Sequence, residues 1–273
     1  MAIKRKIKYR KREKMNIIRN IYNYRELLKT SVKKDIGGKY KHSFLGVLWS
    51  FINPLLQIAV YAIIFPLIMK NSAAYKDYTV FMVCGLIPWS YFSTTLNRSS
   101  FTMIENGNII KKVYFPREIL TLSVVTSETI NFLISCLIII AFIFIKGFGL
   151  SIYILFFPVV LLIQYILQLG ISLIFSSVTV YFRDLQHFIG VFLQLFFYAT
   201  PIVYSAETIP VEFKWILKYN PLTYIIDGYR DIFYFQQMPN MKMLGIILLI
   251  SIIITILGYI IFLKLQKKFA EEL

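Results

Sequence analysis

Negative charge is scarce in this chain of 273 residues, which has 14 Asp and Glu against 30 Lys and Arg. Cysteine is scarcer still: Cys84 and Cys136 are the only two, and both fall inside apolar runs. Neither a metal motif nor a secreted disulfide pair is therefore indicated. The chain also lacks the G-x-x-x-x-G-K-[ST] phosphate loop, so an active role in transport would require an energy source on another polypeptide.

Apolar residues are abundant, at 58% of the total, and they are arranged in six long runs. Each run holds about twenty or more residues, enough at ~1.5 Å per residue to cross a ~30 Å hydrocarbon core. Because backbone groups in lipid must be satisfied internally, runs of this kind indicate helices and not barrel strands. We predict an all-α integral membrane protein with six transmembrane helices, at about 44–69, 78–97, 119–145, 152–180, 185–204 and 242–263.

The basic residues are distributed unevenly around these runs. Residues 1–43, residues 98–118, Arg183 and the stretch from Lys264 onward together hold 23 of the 30, and the alternate segments hold 7. Segments rich in Lys and Arg stay in the cytoplasm. We therefore expect a multi-pass protein of the cytoplasmic (inner) membrane with both termini cytoplasmic. Topology accounts for the net charge of +16, so no nucleic-acid partner is expected.

The N-terminal part divides into two segments that precede the six-span domain of residues 39–273. Residues 1–15 are a basic tail, predicted to lie on anionic lipid headgroups, and residues 16–38 are an amphipathic helix. The apolar positions of this helix recur every three or four residues, at Ile17, Ile21, Tyr24, Leu28 and Val32. The helix is too polar to span, so it should lie in the inner interface, either as a passive anchor or as a gate for a substrate arriving along the inner leaflet.

Glu128 is the only charged residue placed well inside a span. It lies nine residues beyond Ile119, so roughly 13 Å into span 3. An ionisable group at that depth is either functional or held by a structural partner, for which Arg98 and Arg183 are the candidates.

Other polar and helix-breaking residues also interrupt the spans. Pro54 should kink span 1, and Gly85 with Pro88 predicts a break in the middle of span 2. One face of span 4 carries a polar stripe, which favours helix packing over a conduit: Gln164, Gln168, Ser172, Ser176 and Thr179.

The segment between spans 5 and 6 is external but not uniformly polar. Two short pieces, Val211–Tyr219 and Leu222–Phe235, are separated by Asn220-Pro221, and neither is long enough to span. We predict a re-entrant helical hairpin over about 211–235, with a rigid surface cap as the alternative. Charged residues on the second piece can pair with one another: Asp227, Arg230 and Asp231.

Three stretches carry a family likeness: KYKHSFLGVLWSFINPLLQ (39–57), VYFRDLQHFIGVFLQLFFYATPIVYS (180–205) and KYNPLTYIIDGYRD (218–231). They resemble the signatures of type-2 ABC-transporter permeases that export polysaccharides and polyol phosphates, the membrane subunits of O-antigen and wall teichoic acid exporters. The likeness covers nearly everything except residues 1–15, and it is specific to the family but not to the polymer. It implies a homodimer, a lipid-linked glycan substrate, and two copies of a cytoplasmic ABC ATPase that hold ATP and magnesium, with no cofactor in this chain.

The resemblance also implies where the chain meets its ATPase. In such exporters the cytoplasmic segment between spans 2 and 3 contains a coupling helix, which here corresponds to residues 105–117. The coupling residues are then Glu105, Ile109, Lys111, Lys112, Val113, Tyr114, Phe115 and Arg117. The amphipathic helix of residues 16–38 would be the second contact.

A polymer-wide channel that opens laterally between spans 1 and 5 is a further implication. The cluster Phe196-Phe197-Tyr198 lies along span 5, and aromatic faces stack on sugar rings, although packing is the alternative for any single residue. The candidate substrate path comprises Trp49, Gln57, Trp89, Phe92, Phe196, Phe197, Tyr198, Tyr204, Tyr219 and Tyr224.

The leading interpretation is a permease subunit of an ATP-driven exporter for a lipid-linked polysaccharide or a teichoic acid-type polymer. A type-2 permease for a drug or small lipid shares the six-span plan. A membrane-embedded transferase acting on lipid-linked sugars would need grouped acid/base residues, and only Glu207, Asp227 and Asp231 offer themselves. The short external segment and the NPLTY stretch favour the polymer interpretation.

Overall fold

The computed structural model describes residues 22–38, 48–68 and 77–273, and these residues fold into helices without a strand. The basic tail and the first residues of the predicted amphipathic helix, 16–21, lie outside the described residues. In chain order the helices are α1 (Arg25–Gly38), α2 (Trp49–Ile68), α3 (Tyr78–Glu105), α4 (Gly107–Lys112), α5 (Glu118–Ile145), α6 (Phe157–Val178), α7 (Leu185–Tyr198), α8 (Lys214–Tyr219), α9 (Pro221–Arg230), α10 (Met241–Leu265) and α11 (Phe269–Glu272). Short 3-10 or π-helical turns extend several of them, at Ile152–Phe156, Ala206–Thr208, Val211–Phe213, Asp231–Phe235 and Gln266–Lys268.

Within the described part of the chain, four stretches are helical, long and apolar enough to cross a membrane: Tyr78–Glu105, Glu118–Ile145, Ile152–Val178 and Met241–Glu272. They coincide with predicted spans 2, 3, 4 and 6, so the protein is an all-helical integral membrane protein. The first predicted span corresponds to α2 (Trp49–Ile68), and the fifth corresponds to a shorter apolar helix, Leu185–Tyr198.

The helix of the fifth predicted span is shorter than the apolar run that contains it. The run continues to residue 204, but α7 ends at Tyr198. Pro201 lacks a backbone N–H and disfavours the helical conformation of Thr200, so the chain leaves the helix here. It then turns into the protein interior, where Ile202 and Val203 are buried.

The predicted break in the second span is wrong. α3 runs without interruption from Tyr78 to Glu105 with Pro88 inside it. The side-chain amide of Gln164 on α6 donates to the carbonyl of Pro88 at 2.9 Å. This bond joins α6 to α3 beside the proline, and proline is tolerated inside membrane helices.

α6 and α10 cross at small residues. A Cβ on Gly170 would lie 2.6 Å from the backbone nitrogen of Thr255, and a Cβ on Gly258 would overlap the carbonyl oxygen of Gly170. The Thr255 hydroxyl donates to the carbonyl of Ile166 at 2.7 Å across the same crossing. Small residues let two membrane helices approach closely enough for dispersion contacts to hold them together.

The polar stripe on α6 faces neighbouring helices, and all its members are buried. Ser172 accepts a hydrogen bond from Ser99 of α3 at 2.9 Å. Ser176 lies 3.0 Å from the hydroxyl of Thr121 on α5. These bonds support the packing interpretation of the stripe.

A second core, smaller than the main one, gathers side chains from the ends of several spans. It comprises Met103, Ile110, Phe115, Leu120, Leu173, Val180, Phe262 and Phe269. It joins α4 and the residues after it to α10 and α11.

The glycine crossing yields a paired prediction on one helix. Gly258→Ala should destabilise the protein by about 1–3 kcal/mol, because its Cβ meets backbone that cannot move aside. Gly245→Ala, where a Cβ meets nothing within 4 Å, should leave stability unchanged or raise it. Thermal unfolding in detergent measures both. Equal midpoints for the two variants would contradict the close crossing.

Candidate functional site

An aromatic row joins α2, α3 and α7. Trp89 and Phe92 share one face of α3, and Phe196 of α7 lies 6.1 Å and 6.0 Å from their ring centroids. Phe197 lies 5.5 Å from Trp89 and 5.6 Å from Tyr61 of α2. Centroid separations of about 4.5–7 Å are those of interacting rings. The structure therefore brings together four predicted path residues and adds Tyr61, which the sequence analysis missed.

The row continues along α7 and reaches the surface at its end. Phe192 stacks on Phe196 at 5.4 Å, one helical turn away; its spacing of four residues was the available sequence signal. Phe197 is buried, whereas Tyr198 is 61% exposed. The hydroxyl of Tyr204 donates to the carbonyl of Tyr198 at 2.6 Å. The Tyr198 side chain is therefore accessible at the surface of the chain, whereas Phe197 lies inside the packing.

The segment over residues 211–235, predicted as a hairpin, is joined to the end of α7 through Asn220. The Asn220 side chain accepts from the Leu222 amide at 2.9 Å, which caps α9. Its amide nitrogen donates to Thr200 at 2.8 Å. Tyr219 is exposed, and Tyr224 donates to the carbonyl of Lys218 at 3.0 Å. Among the described residues, neither tyrosine makes a ring contact with the aromatic row.

Arg230 is buried where the hairpin meets the bundle. Its Nη2 donates to the carbonyl of Ile202 at 2.6 Å, and its guanidinium lies 3.7 Å from the ring centroid of Phe81. Its Nη1 lies 3.6 Å from the carboxylate of Asp227, as their spacing of three residues allows. A Cβ on Gly85 would lie 2.9 Å from this guanidinium, so α3 needs glycine there.

A cavity of about 460 Å³ lies between α2, α3 and α5. Its lining is rich in amide and hydroxyl groups: Asn53 and Gln57 of α2, Ser90, Ser93 and Thr94 of α3, and Asn131 and Ser135 of α5. Trp49 and Glu128 also line it, so the cavity unites two predicted path residues with the intramembrane carboxylate.

Glu128 forms an ion pair with Arg98. The carboxylate is 3% exposed and the Arg98 side chain 30% exposed. Asn131 donates to the other carboxylate oxygen at 3.3 Å. Of the two partners considered from the sequence, the structure has Arg98; Arg183 is exposed in the turn after α6.

The charges of Glu128 and Arg98 also act on Asp35 of α1, a helix that packs against α5. The Ser123 hydroxyl donates to the carboxylate of Asp35 at 3.5 Å. Burial raises the pKa of Asp35, while the nearby positive charges of Arg98 and Lys34 oppose that rise.

The predicted coupling residues separate into an exposed set and an inward set. The exposed set is Glu105, Ile109, Lys111, Lys112, Val113 and Tyr114. Phe115 is buried in the second core, and the Arg117 guanidinium donates to the carbonyl of Gln266 and lies 5.7 Å from the ring centroid of Phe269. The assignment of these last two to a docking surface is therefore corrected: their side chains are used within the protein.

The polar cavity and the aromatic row both lie between helices of the bundle, where ligand sites commonly occur. The chain belongs to the ABC-2 type transporter family, which matches residues 26–234. It is 40% identical over 249 residues to the O-antigen export system permease protein RfbA of Klebsiella pneumoniae, covering 91% of this chain and 95% of the relative.

Two further relatives show the same kind of match. The RfbA protein of Myxococcus xanthus, also named an O-antigen export system permease, is 32% identical over 261 residues, or 95% of this chain and all of the relative. The polysialic acid transport protein KpsM of Escherichia coli is 26% identical over 198 residues, or 71% of this chain and 74% of the relative.

The intramembrane ion pair predicts strong coupling between its two residues. Glu128→Met or Arg98→Met alone leaves the other charge without its main partner. For a fully buried pair such a change lowers the free energy of unfolding by ~3–5 kcal/mol. The loss should be smaller here because Arg98 is partly exposed. The double variant should unfold at a higher temperature than either single variant. Additive losses in a double-mutant cycle would contradict the pairing.

An exposed pair supplies the control. Lys29 and Glu26 on α1 lie 3.0 Å apart with side chains 69% and 74% exposed. Lys29→Met should leave the unfolding midpoint unchanged within error, because solvent screens such a pair.

Proposed function

We propose that this chain is the membrane permease subunit of an ATP-driven exporter that moves a lipid-linked polysaccharide across the cytoplasmic membrane. The observation that carries the proposal is the aromatic row between α2, α3 and α7. Aromatic faces offer sugar rings apolar contact without a fixed hydrogen-bonding geometry, which suits a polymer that must move. Relatives named for O-antigen export and polysialic acid transport support a glycan as the substrate class.

The energy for export comes from a partner. The chain carries no phosphate loop, so two cytoplasmic ATPase subunits that bind ATP and magnesium would drive it. The exposed set of coupling residues is the docking surface. A second copy of this chain completes the channel.

The proposed topology has six spans, cytoplasmic termini and an external, re-entrant hairpin over residues 211–235. The distribution of basic residues supports this orientation. α7 has 14 residues and rises about 21 Å, so the turn over residues 199–204 would complete the fifth crossing. The substrate path then follows the aromatic row outward to Tyr198 and the hairpin tyrosines.

The docking surface is tested by a double alanine variant. Val113→Ala with Tyr114→Ala should lower ATPase copurification about tenfold, because exposed apolar anchors dominate the energy of a contact. Tyr114 is 75% exposed, so the permease itself should remain folded. In cells whose surface glycan depends on this chain, surface glycan should fall with the copurified ATPase.

Phe115→Ala is the contrasting variant. Because Phe115 is buried in the second core, removing its ring should lower the free energy of unfolding of the permease by ~3–5 kcal/mol. The abundance of the permease should therefore fall before any docking defect is seen. Unchanged copurification and export in the Val113/Tyr114 variant would reject the docking surface. Surface glycan that persists after deletion of the whole chain would reject the proposed function.

The aromatic path predicts opposite outcomes for two adjacent residues. Tyr198→Ala should slow export several-fold while assembly and basal ATPase activity survive, because the ring is 61% exposed and only its edge contact with Phe197, at 5.3 Å between centroids, is lost. Phe197→Ala should first reduce the assembled complex, since removing a buried aromatic costs ~3–5 kcal/mol. Assembled complex and surface glycan are measured in the same cells. If export by the Tyr198 variant falls only in proportion to assembled complex, the ring is structural.

A further inference from the structure

The polar cavity between α2, α3 and α5 lies halfway along its helices. Gln57 is about 12 Å from the start of α2 and Asn131 about 20 Å from the start of α5 at ~1.5 Å per residue. At such depth in a membrane, amide and hydroxyl groups are costly unless they face polar material. The cavity must therefore hold water or a polar ligand.

Charge decides what kind of ligand fits. Glu128 is the only acidic or basic side chain among the described lining residues, and Arg98 pairs with it. A cation would find the carboxylate already paired, and an anion would meet that carboxylate without a free positive charge in the lining. The cavity suits a neutral polar molecule.

The lining both donates and accepts hydrogen bonds. Ser90 donates to Gln57 Oε1 at 3.1 Å, and the Gln57 amide nitrogen carries two donor protons of its own. Ser93 and Ser135 donate to backbone carbonyls at 3.3 Å and 3.0 Å, and their hydroxyl oxygens retain acceptor lone pairs. Sugar hydroxyls, which also donate and accept, match this mixture.

We propose that this cavity binds one sugar residue of the exported glycan, through hydrogen bonds and with Trp49 as an apolar wall. The inference rests on the proposed function and adds a holding site to the aromatic row, along which the polymer slides. A volume of about 460 Å³ lies within the usual range for a small-ligand pocket. Water occupies the site when the sugar leaves, because bridging waters can satisfy the same groups.

Protection of a cysteine in the cavity tests occupancy directly. Ser93→Cys is placed in a parent chain carrying Cys84→Ala and Cys136→Ala, and N-ethylmaleimide labelling is timed in membranes with the ATPase stopped by orthovanadate. Membranes from cells that make the lipid-linked glycan are compared with membranes from cells lacking the transferase that begins it. Labelling should be about threefold slower with glycan, as two-thirds occupancy requires. Lys214→Cys, exposed on the outer segment, should label equally in both.

Equal labelling of Ser93→Cys in the two membranes, from cells whose parent chain exports normally, would show that the cavity holds water only and would overturn the site. Surface glycan that persists after deletion of the natural chain would instead defeat the proposed function. The two failures are therefore distinguishable.

Leucine substitutions give an independent measurement. Gln57→Leu and Asn131→Leu keep the side-chain size but remove the hydrogen bonds, so surface glycan per assembled complex should fall about three- to tenfold. Gln168→Leu is the control, because Gln168 is a buried amide on α6 outside the cavity whose side-chain atoms make no hydrogen bond within the described structure. Normal export by both cavity variants would overturn the inference.

Discussion

The buried guanidinium of Arg230 fixes the position of α9 relative to α3 and to the chain after α7. A charge removed from solvent needs polar partners in fixed positions, and Arg230 finds them in the Ile202 carbonyl, the face of Phe81 and the carboxylate of Asp227. The glycine at position 85 makes room for this arrangement. Ile202 lies four residues beyond the end of α7, so the same contact anchors the chain just after the point where the aromatic row reaches the surface.

The spans are held together by close backbone packing and by hydrogen bonds between helices, more than by the burial of apolar side chains. In lipid, apolar side chains gain little by leaving one apolar surrounding for another. The bundle instead brings backbones together at Gly170 and Gly258 and pairs hydroxyls across helices, as in Ser99 with Ser172. Buried hydroxyls here stabilise the bundle, whereas those facing the cavity stay available to a ligand.

Local sequence patterns predicted where most of the helices lie. They did not predict which helices pack against one another. Run length and composition predicted the helices that contain Glu128 and Pro88, and the need to balance a deep carboxylate pointed to Arg98 as one of two candidates. The cavity, the contact of Tyr61 with Phe197 and the inward direction of Phe115 and Arg117 depend on tertiary neighbours. Helices that are apolar on all sides carry little periodicity from which such neighbours can be inferred.

The second core holds the segment between α3 and α5, which includes α4, in a fixed position. Ile110 and Phe115 share their packing with Phe262 of α10 and Phe269 of α11, and Tyr181 donates to the Leu265 carbonyl at 2.7 Å nearby. A displacement imposed at Tyr114 would therefore be transmitted to the second core, because close-packed side chains transmit strain. The same packing includes residues at the ends of α3, α5 and α10, so a displacement of the segment around Tyr114 would be passed to all three helices together.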